Sequence, residues 1–78
     1  MAVTVYSTPT CRYCVAAKHY LSRHGVKFRD VDVSRDARAA AEMIRKTGQQ
    51  GVPVIDVNGT AIVGFDKGRL DRALRISG

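Results

Sequence analysis

The sequence predicts an α/β fold in which a βαβ unit is followed by a second helix and then a ββα unit, and three stretches carry that reading. A Val- and Thr-rich run, Ala2–Ser7, leads through Thr8-Pro9-Thr10 into a helical pattern ending near His24, and a second strand-like run follows at Lys27–Val33. Strand, helix and strand within about thirty residues make a right-handed, parallel βαβ unit. Asn58-Gly59 sits between two apolar runs, which is a strong signal for an antiparallel hairpin. Cys11 and Cys14, two thiols three positions apart, stand at the junction of the first strand and the first helix.

Residues 2–7 alternate only weakly between apolar and polar, as a central strand covered on both faces does. The helix from about Tyr13 to His24 puts Cys14, Ala17 and Leu21 on one face, and Gly25 stands at its C′ stop. In the second strand Val31 and Val33 fall on one face and Phe28 on the other, with Asp30 and Asp32 partly wet. Ser34 is expected to cap the second helix, with Asp36 in its first turn. Ala37, Ala40, Ala41 and Ile44, joined by Met43, form the expected packing stripe, while Arg38, Glu42 and Arg45 face out. Gly48 ends that helix, with Lys46 in its last turn. Gln49-Gln50-Gly51 connects to a third strand, Val52–Val57, with Pro53 at its start, where a missing N–H does no harm. Thr60–Val63 returns antiparallel. Gly64-Phe65-Asp66 then turns into a last helix, with Asp66 as N-cap and Leu70, Ala73, Leu74 and Ser77 on one side.

Two thiols spaced CxxC at a strand-to-helix junction read as a redox motif. The N–H groups of a first helical turn lack intrahelical partners and carry partial positive charge. A thiolate at Cys11 is stabilised there, with Arg12 as a neighbouring cation, and the thiolate is the form that attacks disulfides. Cys14, one turn further in, is expected to be better covered and to act second. A structural disulfide across so short a loop constrains little of the unfolded chain. Zinc wants four ligands, and no second CxxC exists; His19 and His24 lie outside zinc-finger spacing.

With 78 residues the chain is expected to be one domain over residues 1–78, near the lower limit for a single core. Such a core leaves about 3–5 kcal/mol of net stability. Two cysteines are too few for a disulfide framework. The chain shows no charged-then-apolar leader and no apolar run near the ~18 residues of a membrane span, so a cytoplasmic protein with no membrane partner is expected. The net charge of +6 is spread over positions between apolar residues rather than gathered in a basic block. That argues against specific nucleic-acid binding and for attraction to an acidic partner or an anionic thiol.

The element order, with Thr8-Pro9-Thr10-Cys11-Arg12-Tyr13-Cys14, Gly51-Val52-Pro53-Val54 and Gly64-Phe65-Asp66, resembles a glutaredoxin over essentially the whole chain. The resemblance implies a thioredoxin fold, a four-stranded mixed sheet with three helices and the active site at the end of the first strand. It implies a cis peptide bond before Pro53, which then lies against the CxxC. It also implies a monomeric thiol–disulfide oxidoreductase with no bound cofactor. Its substrates are disulfide-containing or glutathionylated proteins, and glutathione is its reductant. By the same resemblance Cys11 attacks and Cys14 resolves, while Thr8, Arg12 and Tyr13 line the substrate groove. The backbone of Val52 pairs with an incoming peptide or with glutathione, and the N–H groups around Gly64, Phe65 and Asp66 receive a carboxylate. Gln50, or Gln49 beside it, assists with a glutathione carboxylate.

Four departures from the family pattern bear on function. Arg12 replaces the proline common between the two cysteines. No lysine precedes the CxxC. Gly51 stands for a threonine, and Gly64-Phe65 for Gly-Gly. A Gly-Phe at the last turn is similar to small redoxins that feed ribonucleotide reductase and are themselves reduced by thioredoxin reductase, which is the alternative reading. An iron–sulfur or metal-binding module is a third. One CxxC supplies too few ligands for a cluster, so a dimer or glutathione has to complete it.

Overall fold

In a computed structural model, which describes residues 2–76, β1 (Val3–Ser7) runs through the interior of a four-stranded sheet. It lies between β2 (Arg29–Asp32) and β3 (Val54–Val57), with β4 (Thr60–Val63) outside β3. β1 and β2 are parallel, with Tyr6 opposite Val31. The β1–β3 and β3–β4 ladders are antiparallel, with Tyr6 opposite Val54 and Ile55 opposite Ile62. The sheet is therefore mixed, as the βαβ and ββα halves of the sequence require. Three helices complete the fold: α1 (Arg12–Arg23), α2 (Ala37–Thr47) and α3 (Lys67–Leu74).

Strand alternation sorts the core into two layers. Val3, Val5, Ile55, Val57 and Ile62 face α1 and α3, where Ala17, Leu21, Leu70 and Leu74 cover them. Tyr6 and Val54 face the other way, against Met43 of α2, with Val31, Val33 and Ala39 at the margin. Each fully covered Leu, Ile or Val contributes roughly 1.5–3 kcal/mol. β1, buried on both faces, is the central strand that its Val-rich sequence indicates. At the hairpin Asn58 and Gly59 both adopt positive φ, 51° and 94°, as a type I′ turn demands.

Some boundaries and one helix face differ from the sequence reading. α1 starts at Arg12, with Cys11 itself as its N-cap. β2 is limited to Arg29–Asp32; Phe28 packs on the α1/α3 layer and Val31 and Val33 on the α2 layer, as their alternation predicts. β3 begins at Val54, where its ladder to Tyr6 begins, and Pro53 stands just before it. Asp36, not Ser34, caps α2, accepting the Ala39 N–H at 3.0 Å. Ser34 is held instead by the Asp32 carboxylate, to which it donates through both its N–H and its hydroxyl, so the chain turns before the helix can start.

The packing face of α2 runs through Ala39, Glu42, Met43 and Lys46, not through Ala37, Ala40, Ala41 and Ile44. Ala37, Ala41 and Ile44 are exposed. Alanines exert little pull, whereas Met43 can cover Tyr6 and Val54 only in this orientation. The polar groups beneath add to that preference: Glu42 turns inward to accept the Tyr6 hydroxyl at 2.7 Å. On α3, Asp66 caps through the Arg69 N–H at 3.1 Å, and Leu70 and Leu74 are buried as expected. Ser77 lies outside the described residues.

Candidate active site

β1 ends at Ser7, and the chain turns through Thr8, Pro9 and Thr10 before α1 begins. The turn is closed by the Cys11 N–H, which donates to the Thr8 carbonyl at 3.3 Å. Cys11 keeps an extended backbone, and its Sγ accepts the Cys14 N–H at 3.2 Å. The sulfur therefore occupies the place of a capping oxygen, facing one of the otherwise orphaned donors of the first turn.

The two thiols are in unlike surroundings. Both are free; Cys11 is half-buried, and Cys14 is 0% exposed. Burial, followed by the hydrogen bond with Cys11, pushes the Cys14 thiol up to about 11, against the Thr8 backbone and the charge of Lys18. Of the pair, the accessible sulfur with a backbone donor aimed at it is Cys11. Cys14 waits beneath as a thiol. Arg12 and Tyr13 are exposed between them, and Tyr13 and Val15 are exposed large hydrophobic residues at the start of α1.

The three separated sequence segments meet here. The Val52–Pro53 peptide bond is cis, as the resemblance implied. Sγ of Cys11 faces the Val52 carbonyl oxygen at 3.8 Å, and the Gly64 N–H donates to the Pro53 carbonyl at 2.8 Å. Phe65 turns its ring onto Tyr20 of α1, centroids 5.6 Å apart, so only its backbone is left for the groove. The Asp66 carboxylate is engaged as the α3 cap and with Arg69. Gln50 is exposed.

Two features escaped the sequence reading. Gln49 folds over Gly51: its Oε1 accepts the Gly51 N–H at 2.6 Å and its Nε2 donates to the Gly51 carbonyl at 3.2 Å. A Cβ on Gly51 would lie 2.6 Å from that Oε1, so the space of the family's threonine is taken by the Gln49 side chain. The second is a chain of contacts behind Cys14, in which Lys18 Nζ meets Asp30 Oδ2 at 2.9 Å and Ser7 Oγ donates to Asp30 Oδ1 at 2.7 Å. No local signal announces it, because its three residues come from α1, β1 and β2.

A separate polar cluster lies under α2. Lys46 donates to the Tyr6 hydroxyl at 3.0 Å and to Asp56 at 2.9 Å, and Tyr6 donates to Glu42. The bonds to Tyr6 and Asp56 outweigh burial and hold Lys46 above the usual lysine value. Among the described residues no group of three or more His, Cys, Asp or Glu side chains is arranged to hold a metal ion. Among the described residues no helix is long and apolar enough to cross a membrane.

A CxxC pair at the start of a helix, facing a cis-proline loop on a β2-β1-β3-β4 mixed sheet, places this chain in the class of small thioredoxin-fold proteins. The family model described as glutaredoxin matches residues 3–62, and the chain belongs to the glutaredoxin family. A glutaredoxin-like 8.6 kDa protein from the rubredoxin operon of Clostridium pasteurianum is 42% identical over 72 residues, 92% of this chain and 96% of that one. Glutaredoxin 3 of Escherichia coli K12 is 38% identical over 64 residues, covering 82% of this chain and 77% of its own. The structure of NrdH-redoxin from Escherichia coli, a glutaredoxin-like protein with a thioredoxin-like activity profile, superposes with a TM-score of 0.78. It is 28% identical and spans 100% of this chain and 97% of its own.

Proposed function

We propose that this glutaredoxin-like redox protein is a dithiol oxidoreductase that reduces protein disulfides or glutathione mixed disulfides in the cytoplasm, acting as a monomer. The observation that carries the proposal is the asymmetry of the pair: Cys11 is accessible with the Cys14 N–H on its sulfur, and Cys14 is sealed beneath it. Cys11 thiolate attacks a substrate disulfide, forming a Cys11 mixed disulfide and releasing one substrate thiolate. Cys14 then attacks Cys11 Sγ, the mixed disulfide breaks, and the second substrate thiolate leaves. Two electrons have passed to the substrate, and a Cys11–Cys14 disulfide remains for a reductant to open.

Glutathione is the proposed reductant. The Val52 backbone beside Cys11 suits its cysteinyl part, and the turn from Gly64 to Asp66 at the start of α3 suits its carboxylate. A second reading, a redoxin reduced by thioredoxin reductase, is favoured by three observations. Phe65 packs on Tyr20, no lysine precedes Cys11, and Gln49 covers the position of the family's threonine. The likeness to NrdH-redoxin over the whole chain points the same way.

The deciding experiment reduces the oxidised protein with NADPH and either glutathione plus its reductase or thioredoxin reductase alone. Fast turnover only with glutathione supports the first reading. Fast turnover only with thioredoxin reductase transfers the protein to the second, and turnover with neither overturns both. Anaerobic purification as a colourless monomer argues against a cluster-binding role.

A further inference from the structure

Cys14 has no water to stabilise its negative charge, yet the resolving step needs it as a thiolate, so the fold must supply a substitute for solvent. Lys18 follows Cys14 by four residues on α1, the spacing at which two side chains share a helix face. Its ammonium is anchored rather than loose. Nζ lies 2.9 Å from Oδ2 of Asp30, and Oδ1 of the same carboxylate accepts the Ser7 hydroxyl at 2.7 Å. Ser7 is buried and ends β1, and the backbone of the next residue, Thr8, eases ionisation of the Cys14 thiol. The end of β1 thus fixes the counter-ion of the cation.

Resting on the dithiol reading above, we propose that Lys18, held by Asp30 and Ser7, is a positioning residue for the second thiol, placing a fixed positive charge beside Cys14 as its thiolate attacks the Cys11 mixed disulfide. In that step the Cys14 proton leaves to solvent and a bond forms between Cys14 Sγ and Cys11 Sγ. The bond from Cys11 to the substrate sulfur breaks, and its electron pair departs on the substrate thiolate. No further oxidant or reductant enters.

The groups facing Cys14 are consistent with this division of labour. From α1 comes Lys18, from its N-cap Cys11, and from the preceding turn the Thr8 backbone. Asp30 stands behind Lys18 on β2, with Asp32 beyond it, and the cis-proline loop offers only the neutral Val52 carbonyl beside Cys11. Cys11 opposes ionisation of Cys14 through its hydrogen bond and its charge, whereas Lys18 favours it. Once Cys11 is tied up in the mixed disulfide its opposition ends and the lysine remains.

Stopped-flow reaction with the neutral probe 4,4′-dipyridyl disulfide separates the two thiols. The first thiopyridone released reports attack by Cys11 and depends on probe concentration; the second reports intramolecular attack by Cys14 and does not. Loss of the cation in Lys18→Met is expected to move the pH profile of the second release upward by about one unit. The thiolate fraction then falls about tenfold at neutral pH while its nucleophilicity rises about threefold, a net slowing of about threefold. Lys18→Arg, which keeps the charge, restores rate and profile. A Lys18→Met profile superimposable on the parent's, or an arginine variant no better than methionine, overturns the proposal. Release of a single equivalent by the parent protein overturns the dithiol reading itself, whatever Lys18 does.

Discussion

Sγ of Cys11 and the carbonyl oxygen of Val52 face each other at 3.8 Å across forty-one positions of chain. The Cys11 sulfur therefore lies beside the cis-proline loop, and on the proposed dithiol reading an incoming peptide pairs with that loop while its disulfide meets the sulfur. The Gly64 N–H on the Pro53 carbonyl fixes that loop from its other side.

If Cys11 is the attacking thiol, Cys11→Ser reduces turnover in both NADPH-coupled systems to the uncatalysed background. Cys14→Ser loses protein-disulfide reduction, which needs two thiols, but keeps glutathione-dependent deglutathionylation, which needs one. Normal turnover by Cys11→Ser removes the mechanism. On addition of glutathione to the Cys11→Ser, Cys14→Ser double variant, which cannot exchange with it, amide shifts are expected at Tyr13, Val52 and Asp66, and a map that leaves all three unmoved removes the groove.

Gln49 and Gly51 form a coupled pair. The two hydrogen bonds from the Gln49 side chain to Gly51 hold the approach to the cis-proline, and a side chain at 51 must displace them. Gly51→Thr is expected to cost about 1–2 kcal/mol in the parent protein, since each such bond contributes about 0.5–1.5 kcal/mol. In a Gln49→Ala background the same substitution costs little, because the space is already open. Urea unfolding of the four proteins in the cycle measures the coupling, and additive effects refute it.

How much of this was readable beforehand differs by feature. The thiols of Cys11 and Cys14, the turn at Asn58-Gly59 and the cap at Asp66 are local signals, and spacing alone found them. The cis bond before Pro53 came only from resemblance, because nothing local in Gly51-Val52-Pro53 specifies it. The face of α2 was misread because four alanines blur its periodicity; what orients the helix is Tyr6 and Asp56 on strands far away in sequence. Ser34 and Asp36 are both good caps, and the capture of Ser34 by Asp32 decided between them. The Gln49 clamp and the Lys18–Asp30–Ser7 chain are side-chain contacts set by tertiary placement, with no motif to announce them.

Lys46 is the centre of the polar cluster under α2, so its removal has a specific cost. Lys46→Met leaves the buried Asp56 without its partner on Oδ2 and takes a donor from Tyr6, while the Gly59 N–H still serves Oδ1. A loss of about 1.5–3 kcal/mol is expected, the range for hydrogen bonds to charged groups. Adding Asp56→Asn removes the stranded charge and recovers part of it. A double variant less stable than Lys46→Met in urea contradicts this account.

Asp30 supplies the pH-dependent part of the fold's stability that can be tied to the site. Burial raises its carboxyl, but the hydrogen bonds from Lys18 and Ser7 together outweigh that and hold it below the ordinary aspartate value. A carboxyl with a lower value folded than unfolded stabilises the fold at pH above the unfolded value, about 3.9, and loses that contribution as pH falls through the folded one. The Asp30 side chain is 45% exposed, so solvent and salt screen the pair with Lys18 and its contribution stays below about 1 kcal/mol. The expected outcome is that Asp30→Asn is slightly less stable than the parent protein at neutral pH and low salt. That gap should close as the pH is lowered through the carboxylate range or as salt is raised. A gap that persists unchanged into acid would show that the hydroxyl of Ser7, rather than the charge of Lys18, is what Asp30 contributes to holding the end of β1.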